Sequence, residues 1–105
     1  NEPVANVLKN YKKLDYKIIL VSGREDRFKE PTIRFLEKHG IVYDDLIMRK
    51  TQDNRKDSII KTEIYQEFIK EHYFVEFVLD DRNQVVDTWR KDLKLPCFQV
   101  NYGDF

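Results

Sequence analysis

Two adjacent carboxylates, Asp80-Asp81, follow a short apolar run and precede Arg82-Asn83. Carboxylates this close repel each other, and a divalent cation relieves that repulsion. Oxygen donors of this type suit Mg²⁺. The same residues fit a plainer role, because Asp81 or Asn83 is a suitable N-cap for a helix beginning there. A second candidate is Ser22-Gly23-Arg24, after another apolar run. A hydroxyl and a glycine backbone N–H can both donate to a phosphate oxygen, although Ser and Gly also populate ordinary turns. A third group is basic: Arg49, Arg55, Lys56 and Lys61. Lys61 follows Asp57 by four positions, so on a helix the two share a face. In a phosphate site such a lysine stabilises charge on the transferred group; on a helix surface it is a solvated ion pair.

The apolar pattern says which elements would carry these residues. Val4, Val7, Leu8, Tyr11 and Leu14 recur at helical spacing, and Pro3 suits a first helical turn. Tyr16–Val21 is a short, almost continuous apolar run, as expected of a strand buried on both faces of a parallel sheet. Ser22-Gly23-Arg24 then reads as the turn after it. A helix is expected over about 30–39, with Ile33, Phe35 and Leu36 inward and Gly40 left-handed at its end. A strand follows at Asp45–Met48. Next come a helix over 57–70 with Ile59, Ile60, Ile64, Phe68 and Ile69 on its apolar side, and a strand over Phe74–Leu79. A helix over 83–93 carries Val85, Val86, Trp89 and Leu93, and Cys97–Val100 is a last strand. Alternating strands and helices indicate an α/β fold with a parallel sheet. Ligands of such sheets bind outside the carboxyl ends of the strands. Ser22-Gly23-Arg24, Arg49 and Asp80-Asp81 all fall there, so they should converge on one edge. Trp89 and Met48 read as core, and His39 and His72 as helix-end residues. Cys97 reads as a small buried hydrophobe.

Composition narrows the partners. The chain has 105 residues, enough for one domain with a modest core. Nineteen basic and nineteen acidic residues cancel, which argues against indiscriminate nucleic-acid binding but leaves room for a local basic cleft. The single cysteine excludes an internal disulfide and is compatible with a reducing, cytoplasmic compartment. No stretch approaches the ~20 apolar residues of a membrane helix, so no membrane partner is expected.

In order, these strings resemble a known family, the haloacid dehalogenase phosphatase superfamily. They are most similar to the phosphatase domain of phage polynucleotide kinase–phosphatases. The resemblance rests on Val21–Glu25, Arg55–Asp57 with Lys61, Asp80–Val86 with Trp89, and Gly103-Asp104-Phe105. It implies a Rossmann-like parallel sheet flanked by helices. It also implies that Ser22 binds phosphoryl oxygens, Lys61 neutralises the phosphoaspartate, and Asp80 and Asp81 hold Mg²⁺. Gly23, Arg24, Arg49 and Asp57 would shape the phosphate side or orient Lys61.

The family's first motif, Asp-x-Asp-x-Thr/Val, supplies the nucleophile and the general acid/base. It occurs nowhere in this sequence, nor does a kinase-type phosphate loop. The expectation is therefore a domain lacking the central first-motif strand, inactive alone, and carried by a longer polypeptide, with room in it for a kinase domain. The parent protein would remove 3′-phosphates from nucleic-acid ends with Mg²⁺. A phosphate- or partner-binding module without catalysis and a small-metabolite phosphatase are the other two readings.

Overall fold

In the computed structural model of the chain, residues 2–101 and 103 are described. Asn1, Tyr102, Asp104 and Phe105 lie outside them, and with these the end of the Gly103-Asp104-Phe105 motif. The elements alternate as the apolar pattern requires, and they fall into two compact units, Asn1–Asn54 and Arg55–Phe105.

The first unit runs α1 (Glu2–Lys13), β1 (Ile19–Glu25), a 3-10 turn (Asp26–Phe28), α2 (Lys29–Lys38) and β2 (Asp45–Arg49). Glu2 in the first turn of α1 and Lys12 and Lys13 in its last turn oppose the helix dipole. Asp15 adopts a positive φ of 68° just past the helix, a conformation that Asp tolerates better than most residues. Lys12 then pairs with Asp44, whose other carboxylate oxygen accepts the Ile18 N–H at 2.7 Å. That pairing ties the end of α1 to the starts of β1 and β2. Strands β1 and β2 are parallel, with Ile19 opposite Asp45 and Ser22 opposite Met48. Ile18, Leu46 and Met48 are buried here with Ala5 of α1.

Three expectations need correction in this unit. Ser22-Gly23-Arg24 is not a turn after the strand but part of β1. The register slips between Ser22 and Glu25, the latter pairing with Arg49, so the segment is a bulge. Leu14 lies beyond α1 and is exposed. Phe35 is 58% exposed rather than inward, its ring stacked on His39 at 4.3 Å between centroids. Ile33 and Leu36 are half-buried, and they form the inward stripe of this helix. Gly40 has the expected left-handed φ, +66°.

The second unit runs α3 (Asp57–Ile64), β3 (Val78–Asp80), α4 (Asn83–Asp87) and β4 (Cys97–Gln99). Both helices continue into one wider turn, at Tyr65–Ile69 and Thr88–Asp92. There Lys70 N donates to Tyr65 O and Leu93 N to Thr88 O, five residues back. Strands β3 and β4 pair in parallel, Asp80 opposite Gln99. The core is Val85, Val86, Trp89 and Cys97, packed by Tyr65, Val78, Leu93 and Leu95. Ile60, Ile64 and Ile69 are buried as expected, whereas Ile59 and Phe68 are half-exposed. The strand expected over Phe74–Leu79 begins only at Val78, and Phe74 is 89% exposed. An apolar run marks a strand only where a neighbour supplies hydrogen bonds, and the β4 partner begins opposite Val78.

The architecture is thus α/β, with small parallel sheets flanked by helices. Among the described residues the strands form two separate pairs, β1–β2 and β3–β4.

Candidate active site

In the second unit the sequence candidates gather at the carboxyl end of β3. Lys61 sits on α3 one turn after Asp57, and its Nζ lies 3.4 Å from Asp57 Oδ2. The same Nζ donates to Asp80 Oδ2 at 3.2 Å, across 19 positions of sequence. All three side chains are nearly buried, that of Lys61 only 12% exposed. Arg82 closes the group, with Nη1 3.7 Å from Asp57 Oδ2. A solvated surface pair would be worth little. This lysine instead lies between two carboxylates in a partly dry site, where removing any one member strands the others.

Asp80 and Asp81 part company in their surroundings. Asp80 is held on both oxygens: Oδ2 accepts from Lys61 and from the Trp89 indole N–H at 3.0 Å, and Oδ1 accepts the Asp81 N–H at 2.8 Å. The Asp81 backbone carbonyl accepts from Gln99 Nε2 at 3.0 Å, while its carboxylate makes no hydrogen bond or ion pair among the described residues. The N-cap alternative fails. The residue capping α4 is Arg82, and no side chain caps the helix. Asn83 turns to Gln99 and the Gly103 N–H instead.

The donor set fits Mg²⁺ in part. Asp57, Asp80 and Asp81 carry three formal negative charges and Lys61 and Arg82 two positive, so the group sums to −1. A phosphate dianion is repelled by that sum, and a divalent cation would turn it to +1. Mg²⁺ takes one or two protein carboxylates and completes its shell with water and phosphate. Asp81 offers such a carboxylate. Asp80 has its lone pairs largely engaged. No cluster of three or more metal-ligating side chains occurs among the described residues.

In the first unit, Arg49 and the Ser22 segment come together. Arg49 donates from Nε to the Gly23 carbonyl at 2.7 Å and from Nη1 to the Asp53 carbonyl at 2.9 Å. Ser22 Oγ accepts the Arg24 N–H at 3.1 Å, which leaves its own hydroxyl proton to donate. The Arg24 guanidinium lies over the Phe28 ring, 4.9 Å from its centroid. Asp26 receives both the N–H and the hydroxyl of Thr51, and the Thr51 hydroxyl is the main reason its carboxyl is held below the ordinary value. Arg55 is drawn away from the lysine cluster: both its terminal nitrogens pair with Glu63.

Sequence reasoning missed two members of the group. Trp89 was legible as core, and it is only 4% exposed, but its indole bond to Asp80 was not. Arg82 was overlooked, although its position beside the Asp-Asp pair was a usable signal.

Comparison with known proteins agrees with the motif resemblance. The family model described as the polynucleotide kinase PNKP phosphatase domain matches residues 1–105. A protein of Autographa californica nuclear polyhedrosis virus, named as a bifunctional polynucleotide kinase/RNA ligase, is 37% identical over 83 residues; the match covers 78% of this chain and 12% of the relative. A chain of the Pnkp1/Rnl/Hen1 RNA repair complex superposes with a TM-score of 0.97 at 65% identity, over 100% of this chain and 34% of that one. A second structure of the Pnkp1/Rnl/Hen1 complex gives the same score and identity, with 37% of its chain covered. This sequence therefore spans about an eighth to just over a third of the relatives it matches. It belongs to the haloacid dehalogenase-type family of polynucleotide kinase PNKP phosphatase domains.

Proposed function

We propose that this chain supplies the lysine and metal-binding portion of a phosphatase site that removes 3′-phosphates from nucleic-acid ends, as a step in RNA or DNA repair. One observation carries the reading: Lys61 is clamped between Asp57 and Asp80 at the end of β3, and the Asp81 carboxylate, next in sequence, is uncommitted among the described residues. A cation fixed in advance stabilises developing phosphoryl charge without reorganising at the moment of reaction. Family membership and the likeness to chains of an RNA repair complex support nucleic acid as the substrate class.

On this reading the attacking carboxylate lies outside the chain, in the longer polypeptide that carries it. It displaces the 3′-oxygen from phosphorus, and water then releases phosphate from the aspartyl-phosphate. Lys61 neutralises the phosphoryl oxygens, and Asp57, itself paired with Arg82, positions its ammonium. Ser22 would donate its hydroxyl, and Gly23 its N–H, to a phosphate oxygen. Arg24 and Arg49 would shape the approach, Arg49 by holding the Gly23 carbonyl. Asp81, assisted by Asp80, would hold Mg²⁺, which supplies charge neutralisation for the phosphate.

Phosphate release by the full-length protein tests this, with 3′-phosphorylated RNA and DNA oligonucleotides and a nucleoside 3′-monophosphate as substrates, with and without Mg²⁺. The expected result is Mg²⁺-dependent release from the oligonucleotides, abolished by Lys61→Ala. Release from the monophosphate alone would favour a small-molecule phosphatase. Tight binding of 3′-phosphorylated ends without release would make this a recognition module. The 105-residue chain alone should be silent; turnover by it, lost in Asp80→Asn or Asp81→Asn, would mean the nucleophile is misplaced.

A further inference from the structure

Trp89 is 4% exposed and sits in the wider turn that ends the α4 segment, edge-to-face with Tyr65 at 6.1 Å between centroids. Its contacts with Val85, Val86 and Cys97 call for a large apolar ring and nothing more. Yet the indole N–H leaves the core and donates to Asp80 Oδ2 at 3.0 Å. That oxygen is the one that accepts from Lys61 Nζ at 3.2 Å.

The two donors differ in kind. Lys61 is a charge on a flexible four-carbon stem that can follow whatever carboxylate it finds. The indole is a rigid, neutral donor whose ring is locked by core packing, so its N–H marks a fixed point in the unit. Asp80 is the hinge between them, and its remaining oxygen is held by the Asp81 N–H at 2.8 Å. Deleting the indole N–H would free Asp80 to rotate and take the ammonium with it. The turn at Thr88–Asp92 departs from α-helical spacing at this tryptophan, and such widened turns recur at functional sites.

We propose that Trp89 is a positioning residue for phosphoryl transfer: the core sets the place of the Lys61 ammonium through the indole N–H and Asp80 Oδ2. This rests on the phosphatase reading above.

The test compares Trp89→Phe with wild type in the full-length protein, with a 3′-phosphorylated oligonucleotide and Mg²⁺. Phenylalanine keeps an aromatic core and removes only the donor. A hydrogen bond to a charged group commonly contributes enough to set kcat about tenfold lower in Trp89→Phe, with KM changed by less than about twofold. In an Asp80→Ala background the same substitution should lower kcat by less than about twofold, because the path to Lys61 is already cut. An unchanged kcat in Trp89→Phe, or an equal loss in both backgrounds, overturns the proposal and leaves a purely structural tryptophan.

The Trp89 indole ¹H–¹⁵N resonance gives a second readout that needs no core variant. It should shift in Lys61→Met, which removes the donor sharing Oδ2, and an unmoved resonance overturns the proposal. A wild-type protein that releases no phosphate overturns both readings. Activity lost in Lys61→Ala but intact in Trp89→Phe overturns this one alone.

Discussion

Lys61 and Asp80 are 19 positions apart, on α3 and β3, and meet ammonium to carboxylate at 3.2 Å with both side chains largely out of water. Replacing Lys61 by Met leaves Asp57 and Asp80 as two neighbouring carboxylates without their shared cation. Phosphate release should fall by about a hundredfold or more, as expected when a charge stabiliser is removed. Stability should fall by roughly 3 kcal/mol, as when one partner of a buried pair is deleted. Urea unfolding beside steady-state kinetics measures both.

Asp81 should behave in the opposite way. Its carboxylate makes no hydrogen bond or ion pair among the described residues. Asp81→Asn is therefore expected to keep stability within about 0.5 kcal/mol of wild type, while raising sharply the Mg²⁺ concentration needed for half-maximal phosphate release. A titration with Mg²⁺ alongside a thermal melt distinguishes this from the destabilisation expected of Asp80→Ala.

Arg49 fixes the bulge that carries Ser22 by donating to the carbonyls of Gly23 and Asp53. Lysine cannot reproduce two directed contacts from one planar fork. Arg49→Lys should cost about 1–2 kcal/mol, and it should raise KM more than it lowers kcat, because the segment would still form but be held less firmly. Denaturant midpoints and a KM-against-kcat comparison report on each.

Asp44 gives a pH-dependent prediction. Its hydrogen bond from Lys12, and next that from the Ile18 N–H, hold its carboxyl below the ordinary value of 3.8. A depressed folded value means that the unfolded chain takes up the proton first. The stability contributed by Asp44 is then fully present above 3.8 and drains away as the pH falls below it. The stability difference between wild type and Asp44→Asn, followed by urea unfolding across acid pH, should shrink through that window and remain flat at neutral pH.

Cys97 should be inert toward thiol reagents. Burial pushes its thiol above the ordinary 9.0, and the neighbouring Asp80 charge adds to the rise. Little thiolate forms at pH 8, so alkylation of the Cys97 peptide, followed by mass spectrometry, should be slow in the native protein and fast in urea.

The pattern of apolar runs was enough to place α1 to α4 and most strands among the described residues, though not the 3-10 turn at Asp26–Phe28, because burial on one stripe or on both faces of a strand leaves a local trace. Where it failed, the missing information was non-local. Phe74 looked like strand but has no strand neighbour to pair with, and the ladder starts only at Val78 opposite Cys97. Ser22-Gly23-Arg24 looked like a turn, yet β2 is long enough to pair with Glu25 beyond it, which turns the segment into a bulge.

The sequence by itself determined the family, the chemical types at the site and the α3 pairing of Asp57 with Lys61, since a four-residue step on a helix needs no tertiary knowledge. It also determined that no Asp-x-Asp nucleophile motif lies in these 105 residues. Only the tertiary structure decided that the adjacent aspartates differ. Asp80 and Asp81 are alike in type and neighbours in the chain, but Asp80 is the last residue of β3 and Asp81 already lies past the strand. One therefore meets Lys61 and the Trp89 indole, while the other keeps its carboxylate uncommitted among the described residues.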